Sequence, residues 1–350
     1  MVTQPTGVGI LGAGEVAGQY LPNLTASAEI KVIGVGDIDY RAAERLARAH
    51  GIPRVFHGED ILDCKEIDLI VNLTPIPSHY ETSLRVLESG KHVYSEKPLA
   101  LATSEGATLL AAAEKAGLSV GCAPDTVLGP GFQAGRRAID QGLIGKPISG
   151  FASMLRPLPV LERHRTGVIP LFNMAPYYLS ALVNLFGTAS AVSGVARLSY
   201  VTPLLDPSAI FASCSIRFKG DVLCALTLRY GDTPSSEVPT LQVFGTEGVL
   251  CLPNPDTFSA LARWRRHDER NWHPVKVAEE STSHSSNLRG IGVVDMADGI
   301  RHGRAARAAP DVALHVVEII ETLSPPNPSP TDRVGGHLET ACNRPSLLGS

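Results

Sequence analysis

No segment of this chain stays apolar for the roughly 18–20 residues that a membrane-spanning helix needs. No CxxC, HxH or HxxxH spacing occurs either, so the usual ligand patterns of a metal site are missing. The six cysteines (Cys64, Cys122, Cys214, Cys224, Cys251 and Cys342) are scattered singly. In a chain of this size that argues for reduced, mostly buried thiols rather than disulfides or bound zinc. An excess of one charge is also lacking. The net charge of −4 gives no electrostatic footprint for nucleic acid, and the densest basic run, Arg263-Trp264-Arg265-Arg266-His267, reads as a solvated strand or hairpin. Met1 to Thr6 is too short and polar for a secretory signal, so a cytoplasmic protein with no membrane partner is expected.

What is present suffices for two domains with substantial cores: 350 residues, 44% of them hydrophobic, at roughly 100–200 residues per domain. The stretch that organises them is Val8-Gly9-Ile10-Leu11-Gly12-Ala13-Gly14-Glu15-Val16-Ala17-Gly18, a short apolar strand running into a glycine turn. Gly12 permits the tight turn, Gly14 removes a Cβ that would block a pyrophosphate, and Ala17 fills the small third position where a new helix packs on its strand. The free amides at Glu15 and Val16, with the positive end of the helix dipole, would face the phosphates. A second apolar strand, Lys31 to Gly36, ends in Asp37, about 20 residues beyond the loop. A carboxylate there hydrogen-bonds the ribose hydroxyls of NAD and repels the 2′-phosphate of NADP.

From residue 7 to 120 strands and helices alternate, which implies a parallel sheet. The buried strand Asp68–Leu73 runs into the loop Thr74-Pro75-Ile76-Pro77-Ser78-His79. A shorter strand, His92–Tyr94, runs into Glu96-Lys97-Pro98. Beyond Cys122 the pattern changes to alternating segments around 149–154, 191–199, 210–218, 222–230, 241–245 and 249–252, the mark of a mostly antiparallel sheet. An apolar helix at Leu171–Phe186 interrupts them, and helices at Ile291–His302 and Asp311–Thr322 follow. The predicted organisation is therefore α/β: an N-terminal Rossmann domain over 1–123, a second α/β domain over 124–323 built on a large open sheet, and an extended arm over 324–350.

The glycine loop with Asp37, the Thr74-Pro75 loop and Glu96-Lys97-Pro98 together resemble the glucose–fructose oxidoreductase and inositol dehydrogenase family, Gfo/Idh/MocA. Gly121-Cys122-Ala123-Pro124-Asp125-Thr126, Pro176-Tyr177-Tyr178 and Gly292-Val293-Val294-Asp295-Met296-Ala297 look like one branch of it. The resemblance implies NAD as cofactor, held by Gly12, Gly14, Glu15, Val16, Ala17, Asp37, Thr74, Pro75, His79, Glu96 and Lys97. It implies a small polar substrate whose reacting oxygen Lys97 contacts. It also implies a homodimer or homotetramer formed through the second domain's sheet.

Where that family carries an Asp and, four residues later, a His facing the nicotinamide, this chain has Asn173 and Tyr177. An amide accepts no proton, and an ordinary tyrosine, with a pKa near 10, is a poor base at neutral pH. Two readings follow. Either Tyr177 and Lys97 manage the proton as a pair, or the substrate is an iminium that needs no acid. Asn173 remains a substrate-positioning candidate, with Asp125, Glu162 and His164 as further groups within reach. The leading expectation is an oxidoreductase that moves hydride to or from a sugar, aminosugar or cyclitol. Redox-neutral elimination or epimerisation, and a cofactor-binding regulator that has lost catalysis, are the alternatives.

Overall fold

The computed structural model describes residues 4–156, 169–198, 210–230, 241–258, 260–277, 287–323 and 334–337. Its first domain contains β1 (Thr6–Leu11), α1 (Glu15–Ala26), β2 (Ile30–Asp37), α2 (Tyr40–His50), β3 (Arg54–His57), β4 (Leu69–Asn72), α3 (His79–Glu88), β5 (His92–Ser95), α4 (Thr103–Ala116) and β6 (Val120–Cys122). The six strands are parallel in the order β3-β2-β1-β4-β5-β6, the doubly wound Rossmann arrangement. β1 and β4 are buried at every position, as expected for central strands covered by helices on both faces. Local chemistry sets the ends of the helices. Asp39 Oδ1 accepts from the Arg41 and Ala42 amides at the start of α2, and Gly51 closes it in the left-handed conformation at φ 66°. The acidic stretch after β3 forms a 3-10 turn, Gly58–Asp63, rather than an α-helix.

The second domain adds α5 (Pro130–Asp140), β7 (Pro147–Arg156), α6 (Ile169–Phe186), β8 (Ala189–Leu198), β9 (Ile210–Phe218), β10 (Leu223–Tyr230), β11 (Leu241–Gly245), β12 (Gly248–Cys251), β13 (Arg263–Arg266) and β14 (His273–Pro274). Then come α7 (Ile291–His302), α8 (Pro310–Leu323) and β15 (Val334–His337). These strands form one sheet of nine in the order β14-β13-β12-β11-β7-β10-β9-β8-β15. Every pair is antiparallel except β7 with β10. The arm beyond residue 323 contributes β15, which adds an edge strand beside β8. The basic run is strand β13, with Arg263 and Arg265 over the ring of Trp272. The buried alternate residues of β8–β10, such as Val192, Cys214, Ile216, Cys224 and Leu226, share a core with α6 and α8. Their neighbours Val195, Ser215, Arg217 and Leu223 face outward.

Chain order assigns α7 to the second domain, but its buried side is in the first. Val293, Met296 and Ala297 pack with Ile10, Tyr20, Leu21, Leu24 and Tyr94 in one hydrophobic cluster. The contact depends on Gly292, because a Cβ there would lie 2.3 Å from the Tyr94 hydroxyl and 2.9 Å from Asp125 Cβ. Gly18, inside α1, has open space at the same position. Gly292→Ala should therefore cost about 1–3 kcal/mol, the usual effect of overpacking. Gly18→Ala should stabilise by about 0.5–1 kcal/mol through helix propensity. Urea denaturation of both variants tests the pair, and equal effects at the two sites would contradict this packing.

Candidate active site

The carboxyl ends of β1, β2, β4 and β5 lie along one edge of the parallel sheet, the edge at which open α/β sheets bind ligands. After β1, Gly12 adopts φ 106°, and a Cβ on it would stand 2.6 Å from the Leu73 carbonyl. Only glycine fits there. Its amide donates to Gly36 O at 2.8 Å, closing the turn. Gly14 heads α1 with nothing within 4 Å of its missing Cβ, and no side chain caps the helix. The amides of its first turn are thus left for an anion. Ala17 is fully buried under the turn, the small residue the packing requires.

Asp37 ends β2 with both carboxylate oxygens fixed. Oδ2 accepts from the Ala13 amide at 2.6 Å and Oδ1 from the Asp39 amide at 2.8 Å. Each oxygen keeps a second lone pair for a ribose hydroxyl. Ile38 beside it is 85% exposed and offers the apolar surface that an adenine ring would cover; no motif marked it in the sequence. The open cradle at Gly14, the uncapped helix and the anchored carboxylate fit a dinucleotide.

The loop after β4 is held from behind. Asn72 Oδ1 accepts from Thr74 Oγ1 at 2.7 Å, while its amide nitrogen donates to Ser83 Oγ and His79 O. Thr74 and Pro75 remain at the surface of the edge. His79, expected at the cofactor, is instead 2% exposed. Its two ring nitrogens lie 2.8 Å from the carbonyls of Pro98 and Thr74. Burial pushes its pKa below the usual imidazole value. It clamps the Thr74 loop to the Lys97-Pro98 turn and positions both. Glu96 is likewise buried; its Oε1 accepts from the Tyr20 hydroxyl at 2.6 Å and its Oε2 from the Lys97 amide at 3.1 Å.

Lys97 reaches across to the second domain. Its ammonium, on a side chain buried with Glu96 at the end of β5, donates to Asn173 Oδ1 at 2.6 Å and to Asn173 O at 2.7 Å. One turn further along α6, the ring of Tyr177 lies with its centroid 4.9 Å from Lys97 Nζ. The structure thus brings Lys97, Asn173 and Tyr177 together. Within this group Lys97 meets the face of the tyrosine ring rather than its hydroxyl. The hydroxyl accepts instead from Arg289 Nη1 at 3.2 Å. Arg289 was not singled out from the sequence; it stands three residues before the run that begins at Gly292, and nothing in its spacing marks it.

Asp125, considered as a substrate contact, is fully buried. Its Oδ2 accepts from the amides of Gly290 at 2.7 Å and Gly292 at 3.2 Å, capping the start of α7. Through that oxygen it fixes the segment that carries Arg289. His164 and Glu162 lie outside the described residues. Of the cysteines, Cys64, Cys122, Cys214, Cys224 and Cys251 are free and buried, and no group of three potential metal ligands occurs among the described residues.

A parallel dinucleotide-type domain joined through a buried lysine to helix α6 of the second domain is the arrangement of a two-domain oxidoreductase. Residues 6–123 match the model of the oxidoreductase family with an NAD-binding Rossmann fold, and 132–251 match the GFO/IDH/MocA C-terminal domain. The chain belongs to the GFO/IDH/MocA family. Among its relatives, the scyllo-inositol 2-dehydrogenase (NAD(+)) of Bacillus subtilis is 28% identical over 69% of this chain and 72% of that protein. The inositol 2-dehydrogenase of Ralstonia nicotianae is 26% identical over 74% and 77%. Among solved structures, the aldose-aldose oxidoreductase of Caulobacter crescentus superposes with a TM-score of 0.78 at 18% identity, covering 91% of this chain and 96% of that one. The 3-ketoreductase KijD10 of Actinomadura kijaniata, solved with TDP-benzene and NADP, gives 0.75 at 20% identity over 91% and 96%.

The buried cap makes a pH prediction. Burial pushes the Asp125 carboxyl from 3.8 up to about 6, against the opposing pull of the two amides. The unfolded carboxyl titrates near 4. The stability this group contributes is therefore fully present below about pH 4 and is lost as pH rises through about 6. Between pH 4 and 7 the wild type should lose about 3 kcal/mol relative to Asp125→Asn. Denaturation of both proteins across that range measures the difference, and a constant gap would refute it.

Proposed function

We propose that this protein is an NAD-dependent oxidoreductase acting on a CH–OH or C=O group of a sugar- or cyclitol-like substrate. The observation that carries the reading is the contact of Lys97, Asn173, Tyr177 and Arg289 beside the carboxyl edge of the dinucleotide domain. The inositol dehydrogenase relatives support the substrate class. When bound, the nicotinamide supplies the hydride acceptor or donor. Glu15, Val16 and Gly14 would hold its phosphates, Asp37 its adenosine ribose, and Thr74 and Pro75 its inner half.

The chain's own groups handle charge and proton. Among the described residues Lys97 uses two of its three donors on Asn173, leaving the third for the reacting oxygen. An ammonium there stabilises developing alkoxide charge. The Tyr177 oxygen accepts from Arg289, so its own proton is turned toward another acceptor. Tyr177 is then the acid in reduction, and its phenolate the base in oxidation. Asn173 orients Lys97 without competing for a proton. We also infer a homo-oligomer that buries the outward face of the nine-stranded sheet, where Leu223 and Val195 are 49% and 41% exposed.

Two measurements test this reading. Calorimetric titration should show NAD binding at least about tenfold tighter than NADP, and Asp37→Ala should erase the difference; equal affinities in the wild type, or an NADP preference through Arg41, would sink the ribose assignment. For catalysis, Lys97→Ala should lower turnover of a polyol by about 10²–10³-fold, the range for removing one electrostatic donor, with NAD affinity little changed. Tyr177→Phe should also slow that turnover, and an undiminished rate refutes Tyr177 as the acid and base. Full turnover in Lys97→Ala refutes the role of the lysine.

A further inference from the structure

Buried cations in folded proteins are normally paired with carboxylates, because an uncompensated charge away from water is costly. Two cations here break that pattern on one aromatic ring. Lys97 is 8% exposed, and its ammonium donates to the neutral oxygens of Asn173. Arg289 is half-buried, and its guanidinium meets the neutral hydroxyl of Tyr177. Their charged groups lie 4.9 and 5.8 Å from the Tyr177 ring centroid, and among the described residues neither forms an ion pair. The two acids nearby, Glu96 and Asp125, act on Arg289 through their charge without forming an ion pair with it, and their oxygens accept from other donors. Glu96 binds the Tyr20 hydroxyl and the Lys97 backbone amide. Asp125 binds the amides of Gly290 and Gly292.

Taking the oxidoreductase reading as given, we propose that the substrate carries an anionic group, a carboxylate or a phosphate, which Arg289 binds beside the reacting oxygen on Lys97. A guanidinium has five donors in a planar fork, and among the described residues this one makes a single hydrogen bond, to Tyr177. That leaves donors for the two-point contact that carboxylates and phosphates make with arginine. Lys97 would then be neutralised in part by the same ligand. The neutral partners Asn173 and Tyr177 follow from this, since a carboxylate at position 173 would compete with the ligand for Lys97 and one at position 177 for both cations.

The test is calorimetry on the NAD-loaded protein with a panel of neutral sugars, each paired with its uronate and its phosphate ester. The anionic member should bind about 10–100-fold more tightly than its neutral partner, the range for a charge-assisted hydrogen bond. Whether uronate or phosphate ester gains more identifies the anion. Arg289→Gln should remove the preference and Arg289→Lys should restore part of it, while NAD affinity stays within about threefold. If no anionic member binds better than its neutral partner, the proposal fails. It also fails if Arg289→Gln weakens NAD and leaves the preference intact, for the guanidinium then serves the cofactor phosphates. Reduced-nicotinamide absorbance, read in parallel, separates the two levels. Turnover of neutral sugars without an anionic preference overturns only this inference. Anion-selective binding without any hydride transfer supports it and overturns the oxidoreductase reading.

Discussion

The contact between Lys97 and Asn173 joins the two halves of the molecule at the point where chemistry is proposed. A lysine two residues beyond β5 would ordinarily extend into water and cost nothing. Here it is buried, and both its amide and its ammonium are engaged, by Glu96 below and Asn173 above. A net hydrogen bond to a charged group contributes about 1.5–3 kcal/mol, and an unsatisfied buried one costs more. The relative placement of the parallel sheet and α6 is therefore tied to this side chain. Three other devices act toward the same end. The His79 clamp fixes the turn that carries Lys97, Tyr20 fixes Glu96, and Asp125 fixes the segment that carries Arg289.

Much of the architecture was legible because it depends on local chemistry. Gly12 declares a left-handed turn, Asp37 ends an apolar run, and the change of period after Cys122 marks the second sheet. The boundaries of β9, β11 and α7 coincide with the apolar patterns that predict them. The failures have a common origin in long-range packing. The periodicity of α7 shows an amphipathic helix, yet it cannot show that the apolar side meets Tyr20 and Tyr94 of the other domain. Asp125 and His79 are polar residues near turns at the carboxyl edge of the sheet, and polarity alone suggests a ligand contact. Their partners are backbone groups, those of Asp125 more than 160 residues away in the chain. Arg289 was invisible for the same reason, since its partner Tyr177 lies 112 residues earlier.

The replacement of an acidic and an imidazole side chain by Asn173 and Tyr177 reads differently once Arg289 is in place. From sequence the exchange removes an acid/base pair and favours a protein that only binds its cofactor. In the structure the tyrosine has a cation on its hydroxyl and the amide has a cation on its carbonyl oxygen. Desolvating a cation costs several kcal/mol even after relaxation, and neutral partners repay less of that than carboxylates do. A module that merely holds NAD through the glycine loop gains nothing from bearing that cost twice on one ring. A catalyst does gain. Positive charge fixed in advance beside the reacting oxygen stabilises the transition state without reorganisation, and the neutral partners keep that charge from being cancelled before the substrate arrives.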